Sequence, residues 1–254
     1  MSLETSDFLP LAARSFDEAA AAQMERFVAD FGHMYRERNE ALREVARAHH
    51  EALLRLSLAA DCKDDDTGGH IVRIGFLAEA LALLLGEPAG TAHMLRKAAP
   101  MHDIGKIGTP DSVLKKAGPL DAAEREVMNQ HAAQGAAILG RSRIPLFQLA
   151  AAVAQNHHER YDGRGYPQGL RGEQIPLAAR ITAVVDFYDA LTMDRVYRRA
   201  CPPEKVLDML RAESGKAFDP RIVTAFEDHF EELEALRCRI NAQALSYEAL
   251  LDSV

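Results

Sequence analysis

Between Phe16 and Ala60 the chain contains no proline and a single glycine, Gly32, which predicts one long helix or a pair of helices. Within that stretch Met24, Val28, Phe31, Tyr35, Arg38, Leu42, Val45, His49, Ala52 and Leu56 follow one another in steps of four and three, the spacing of a heptad seam. Arg38 and His49 interrupt it in the manner of polar positions that fix register and oligomer state. Two outcomes stay open: the seam pairs with a second copy to give a homodimer, or the same stripe packs on its own domain.

The rest of the chain also places its apolar residues mostly at helical spacing. The 254 residues are 48% hydrophobic and 27% charged, with no Trp, so the expectation is an all-α, soluble protein. A formal net charge of -8 argues against broad binding to duplex nucleic acid or anionic lipid, yet leaves room for a small anionic ligand at a local basic pocket. Cys62, Cys201 and Cys238 are far apart and lack metal-type spacing, so they read as free thiols. The start of the chain is acidic and has no long apolar run. The longest such run, Leu77 to Gly86, falls well short of the roughly 20 residues a membrane span needs. These features predict a cytoplasmic protein.

Asp61 to His70, "DCKDDDTGGH", breaks the long pattern with acids and two glycines and predicts a boundary: 1–60 as a helical dimerisation segment, 61–254 as the functional domain. Further helices are expected through Leu85, over a stretch with Pro100 near its end, over "DAAEREVMNQHAAQGAAIL", and from Pro145 to His158. After a Gly-rich loop, another opens at Pro176, and two more follow, "PPEKVLDMLRA" and "DPRIVTAFEDHFEELEALRCRINA".

Five of the ten histidines, His70, His102, His131, His157 and His158, stand in polar, acid-rich or turn-flanked settings. Successive helices of a bundle can project such side chains, together with Asp66, Asp103 and Asp186, into one cavity. Asp66 and His70 are four apart, on one face if a helix already begins there. His102 with Asp103 offers a nitrogen ligand beside an oxygen ligand able to bridge two cations. Imidazole and carboxylate without thiolate suit Fe, Mn, Zn or Ni.

In sequence order, "TGGH", "HDIGKIGTPDSVL", "HHERYDGRGYP", "IPLAARITAVVDFYDALT" and "DRVYR" are similar to the motifs of the HD-GYP family, a branch of the HD phosphohydrolases that hydrolyse cyclic di-GMP. The resemblance spans about Asp61 to Phe230. It implies an HD-domain helical bundle with a GYP loop. It also implies a cluster of two divalent transition-metal ions, iron or manganese, held by His70, His102, Asp103, His131, His157, His158 and Asp186, with Asp103 bridging. Asp66 occupies the position where some members use a glutamate for a third metal. Lys106, Gly165, Tyr166, Arg195 and Arg198 sit where the family contacts the phosphates and guanines of its ligand.

The chemistry agrees with that ligand set. A phosphodiester anion resists attack by water, so cations must neutralise its nonbridging oxygens and lower the pKa of a water near neutral pH. Lys106 and the arginines can add positive charge in the transition state. Gly163, Gly165 and Gly169 permit backbone geometry and close ligand approach that side chains would block. The expected activity is hydrolysis of cyclic di-GMP to pGpG, and whether it stops there or continues to GMP stays open. The alternative is a non-catalytic receptor for the dinucleotide, or for a diguanylate cyclase-type partner, signalling through its N-terminal helix.

Overall fold

The computed structural model describes residues 8–63, 69–194, 199–243, 245 and 247–250, and among them every regular element is helical. They are α1 (Phe8–Lys63), α2 (Gly69–Leu84), α3 (Ala89–Ala98), α4 (Asp111–Leu114), α5 (Ala122–Leu139), α6 (Pro145–Asn156), α7 (Leu177–Thr192), α8 (Pro203–Ala212), α9 (Pro220–Asp228) and α10 (Phe230–Ala242). Short 3-10 helices at Ala99–Met101, Ile104–Gly108, Gly172–Gln174 and Tyr247–Leu250 join or follow them. The all-α expectation therefore stands. No described helix is long and apolar enough to cross a membrane.

The sequence signals for helix ends act as expected at several points. Asp121 and Glu124 form a reciprocal capping box at the start of α5, each side chain accepting the other's backbone N–H at 2.9 Å. Pro145, Pro203 and Pro220 each occupy a first-turn position, where the missing N–H costs nothing. Two expectations need correction. The segment expected to carry Pro100 inside a helix leaves α-geometry at Ala98 and continues as 3-10 turns. The expected last helix is two, α9 and α10, broken at His229 with φ -118° and ψ 25°.

The chain divides into two compact units, 1–49 and 50–254. In the first, the described part of α1 leaves its seam in solvent: Phe31 and Leu42 are each 58% exposed, and Met24, Val28, Tyr35 and Val45 are exposed with them. In the second, the remainder of α1 is core, since Leu54 packs with Ile71 and Val72 of α2, Ile240 of α10, and Leu250.

The centre of the second unit is α2, apolar on nearly every side and packed against α3, α7 and α10. Ile74, Leu77 and Leu81 meet Val184, Val185 and Tyr188 of α7 and Phe226 of α9 in the largest core cluster. A second cluster joins Met101, Ile104, Leu139, Ala150 and Ala154, anchoring the turn after α3 onto α5 and α6. That turn carries His102 and Asp103.

His50, at the first position of the second unit, is buried and its Nε2 has no hydrogen-bond partner. Burial first, and then the charge of Lys97 with Arg96 and His93 beyond it, pushes its pKa down to about 4. The unfolded ring titrates near 6.5, so between about 6.5 and 4 the unfolded chain binds a proton that the folded one refuses. This contribution to stability is complete above about pH 6.5 and is lost as the pH falls towards 4. With solvent screening allowed for, the loss between pH 7 and 5 should be about 1 to 2 kcal/mol. Urea unfolding at both pH values should show wild type losing that much more than His50→Leu; equal losses would refute the assignment.

Candidate metal centre

Residues from five segments converge because the local sequence bends the chain at particular points. α2 begins one residue before His70, α5 presents His131, and α7 presents Asp186. His102 and Asp103 stand where the chain passes from one 3-10 turn to the next. His157 caps the C-terminus of α6 with its N–H bonded to the Val153 carbonyl, and His158 follows as the chain leaves the helix.

Gly105 explains the close fit of that turn. A Cβ there would stand 1.9 Å from the His131 carbonyl oxygen and 2.5 Å from the Gly135 nitrogen, so only glycine lets the Ile104–Gly108 turn lie directly on α5. This approach brings Asp103 beside His131.

The side chains form two groups. Asp103, His131, His157 and His158 have ligand atoms within 4.8 Å of one another, and so do His70, His102 and Asp186. Asp103 faces both: Oδ1 lies 3.2 Å from His131 Nε2 and 3.6 Å from His157 Nε2, while Oδ2 lies 3.3 Å from His102 Nε2. On the other side Asp186 Oδ1 is 3.4 Å from His70 Nε2 and 3.7 Å from His102 Nε2.

The ring tautomers follow from their outer hydrogen bonds. Nδ1 of His102, His131 and His157 lies 3.0, 2.7 and 3.0 Å from the carbonyl oxygens of Ala99, Met128 and Ala154. A carbonyl only accepts, so each Nδ1 carries a hydrogen and Nε2 is the ring nitrogen left to face the cluster. His131 Nε2 and His157 Nε2 face each other at 3.4 Å. His102 Nε2 and Asp103 Oδ1 are buried without a hydrogen-bond partner. Imidazole nitrogens and carboxylate oxygens converging in this way form a donor set that fits one or two divalent metal ions.

Burial opposes ionisation of Asp103, but Lys106 and His102 outweigh it and hold its carboxyl well below the usual range. Asp186 is likewise held low against burial by its bond to His70 and the charge of His102. Burial, reinforced by the neighbouring rings His157 and His131, holds His158 well below the ordinary imidazole value. His157 is lowered by burial too. Burial disfavours charge on His70, yet its bonds to Asp186 and Asp189 raise it well above the ordinary value.

A second layer holds these side chains. Asp189 is fully buried, takes Arg73 Nε at 2.6 Å and Nη2 at 2.9 Å, and lies 2.7 Å from His70 Nδ1. Asn241 of α10 accepts from Arg73 Nη1 at 3.1 Å. The same-face spacing of Asp186 and Asp189 is visible in the sequence, but their partners on α2 lie more than a hundred positions away and carry no local signal.

Glu159 answers a puzzle of the "HHERYDGRGYP" segment, an acid beside two histidines. Its buried carboxylate accepts the backbone N–H groups of Gln168 at 2.7 Å and Leu170 at 3.1 Å, tying the loop back on itself. At Gly165 a Cβ would stand 2.3 Å from the Arg160 nitrogen and 2.5 Å from Glu159 Cα. The close approach expected at this glycine is thus to the loop's own backbone. Tyr166, joined to Pro167 by a cis bond, stacks on His158 with ring centroids 4.8 Å apart.

Beside the histidines opens a cavity of about 470 Å³, bordered by His158, Arg164, Tyr166, Asp186, Phe187 and Phe218. Lys106 Nζ lies 2.8 Å from Asp103 Oδ2. The structure thus brings together seven of the eight expected metal-ligating residues and sets Lys106, Gly165 and Tyr166 around them. Asp66, Arg195 and Arg198 lie outside the described residues.

A family model described as the HD domain matches residues 37–222. Over 199 residues the chain is 39% identical to the 3'3'-cGAMP-specific phosphodiesterase 2 of Vibrio cholerae serotype O1, covering 78% of this chain and 38% of that protein. Over 196 residues it is 41% identical to the cyclic di-GMP phosphodiesterase response regulator RpfG of Xanthomonas campestris pv. campestris, covering 77% of this chain and 52% of that one. The crystal structure of a cyclic GMP-AMP specific phosphodiesterase from V. cholerae shares the fold with a TM-score of 0.53 at 22% identity, over 72% of this chain and 48% of that one. The chain spans about half the length of these relatives or less.

Proposed function

The chain belongs to the HD-domain family, and on that premise we propose that it is a metal-dependent phosphodiesterase that opens cyclic di-GMP to pGpG, with pGpG and GMP as the two end points to be told apart. The observation that carries this reading is the position of Asp103, with one oxygen facing each ligand group. His131, His157 and His158 would hold one ion, His70, His102 and Asp186 the other, and Asp103 both; iron or manganese suits this donor set. When bound, such ions supply Lewis acidity and a nucleophile from water near neutral pH.

The protein's own groups would do the rest. Lys106, held against Asp103, brings a cation to within reach of the equatorial oxygens of the diester. Tyr166 and the apolar wall of Phe187 and Phe218 offer faces for a guanine, and Arg164 adds a guanidinium at the cavity edge. From the sequence, Arg195 and Arg198 contribute further phosphate or base contacts, and Asp66 is the candidate for a third ion. Loaded with manganese or iron, the protein should cleave cyclic di-GMP, with cyclic GMP-AMP run beside it to rank the two substrates and separated products to show where hydrolysis stops. Binding of cyclic di-GMP without cleavage would move the reading to a receptor.

We further propose that two copies pair in parallel through the exposed seam of α1, as a cytoplasmic homodimer; a diguanylate cyclase-type protein would be a partner of that assembly. Truncation must respect the core: removing residues through Leu58 would take away buried Leu54, so the deletion ends at His49. Light scattering should show a dimer for the full chain and a monomer for 50–254 that still binds metal. A monomeric full chain at high concentration would contradict the pairing.

A further inference from the structure

Lys63 is the last residue of α1, and its ammonium lies among backbone carbonyls of the catalytic turn. Nζ is 2.5 Å from the Thr109 oxygen, 3.0 Å from that of Ile107 and 3.4 Å from that of Lys106, with Asp111 Oδ1 also at 3.4 Å. An ammonium has three donors, and here three carbonyls at or just past the C-terminal end of the 3-10 helix Ile104–Gly108 stand around it. The last carbonyls of a helix lack partners within it, and that end favours a cation.

The other end of this short helix begins at Asp103, whose carbonyl accepts the Lys106 N–H at 2.9 Å. Its middle is pressed onto α5 at Gly105, where a Cβ would meet the His131 carbonyl at 1.9 Å. The helix is therefore fixed at its start by the ligand cluster, along its side by α5, and at its end by Lys63. Lys106 projects from it onto Asp103 at 2.8 Å.

We propose that Lys63 is a positioning residue for diester hydrolysis: by clamping the far end of this turn it fixes Lys106 and Asp103 relative to the ligand groups. This rests on the phosphodiesterase reading of the site. Since the clamp is the final side chain of α1, a rotation of that helix would reach Lys106 through a single residue.

The test uses the full chain with Lys63→Met, which keeps the length of the side chain without its charge, and Lys63→Arg, which restores charge. Hydrogen exchange of the metal-free proteins should show the segment 104–111 opening about tenfold more in Lys63→Met, with the protection of α5 and α7 unchanged. In the manganese-loaded proteins the single-turnover rate on cyclic di-GMP should fall about 10- to 100-fold in Lys63→Met, with KM within about twofold and metal content equal, and Lys63→Arg should recover most of it. Unchanged exchange over 104–111, exchange rising equally across the domain, or a wild-type rate in Lys63→Met would each overturn the proposal. A wild type that cleaves nothing would instead sink the phosphodiesterase reading, while the exchange measurement would still decide the clamp.

Discussion

Asp103→Ala should lose metal and turnover together, by more than the roughly 10- to 100-fold that removal of an outer-shell partner costs. The reason is the double role of one carboxylate. Its Oδ1 stands 3.2 Å from His131 Nε2 and its Oδ2 3.3 Å from His102 Nε2, so among the described residues it is the one acid facing both groups, Asp186 standing only with His70 and His102. Without it the first group is three imidazoles and no anion, and two cations held nearby would repel without a shared negative charge. The same substitution strips Lys106 of a partner at 2.8 Å. Asp103→Asn keeps the volume and one oxygen while removing the charge, and should therefore bind metal weakly instead of losing it. Elemental analysis and single-turnover cleavage on both variants check this, and full metal content with wild-type turnover in Asp103→Ala would contradict it.

The second large effect is on stability. Asp189 is fully buried with the Arg73 guanidinium forked onto it and His70 Nδ1 at 2.7 Å. Asp189→Ala leaves a buried guanidinium without its counter-ion, a loss of about 3 to 5 kcal/mol. For a chain of this size that lowers the unfolding midpoint by about 10 °C. The double variant Arg73→Met, Asp189→Leu removes the stranded charge as well and should recover part of the loss, because what costs most is the unpaired ion. His70 would also lose the bond that orients its ring, so the metal-free midpoint and the metal affinity should both fall in Asp189→Ala. Thermal unfolding of the metal-free proteins, followed by metal titration, measures the two separately; an unchanged midpoint would mean that Arg73 finds another anion.

Much of this was legible in the chain because the relevant signals are local or ordered. A stretch with one glycine and no proline reads as helix, and α1 is continuous over Phe8–Lys63. The ligand-bearing motifs occur in a fixed order, and the folded chain gathers seven of those side chains. The missed features are those in which tertiary packing decides. Nothing in "FEDHFEEL" breaks a helix, yet α9 and α10 part at His229, where Phe226 and Phe230 both close on Tyr188 with ring centroids 4.8 and 6.2 Å away. Arg73 and Asp189 look like surface charges in their own segments, and only the packing of α2 on α7 makes them a buried pair. Lys63 ends a helix in an unremarkable basic position, and its carbonyl partners lie more than forty residues ahead.

If the two ligand groups that share Asp103 each hold an ion, the metal content of the full chain shows it after anaerobic reconstitution with iron or manganese and removal of loosely bound ions. About two ions per chain are expected, since seven nitrogen and oxygen ligands exceed the four to six that one such ion accepts. A value near three would bring Asp66 in as a further ligand, and a value of one or less would contradict the two-ion account.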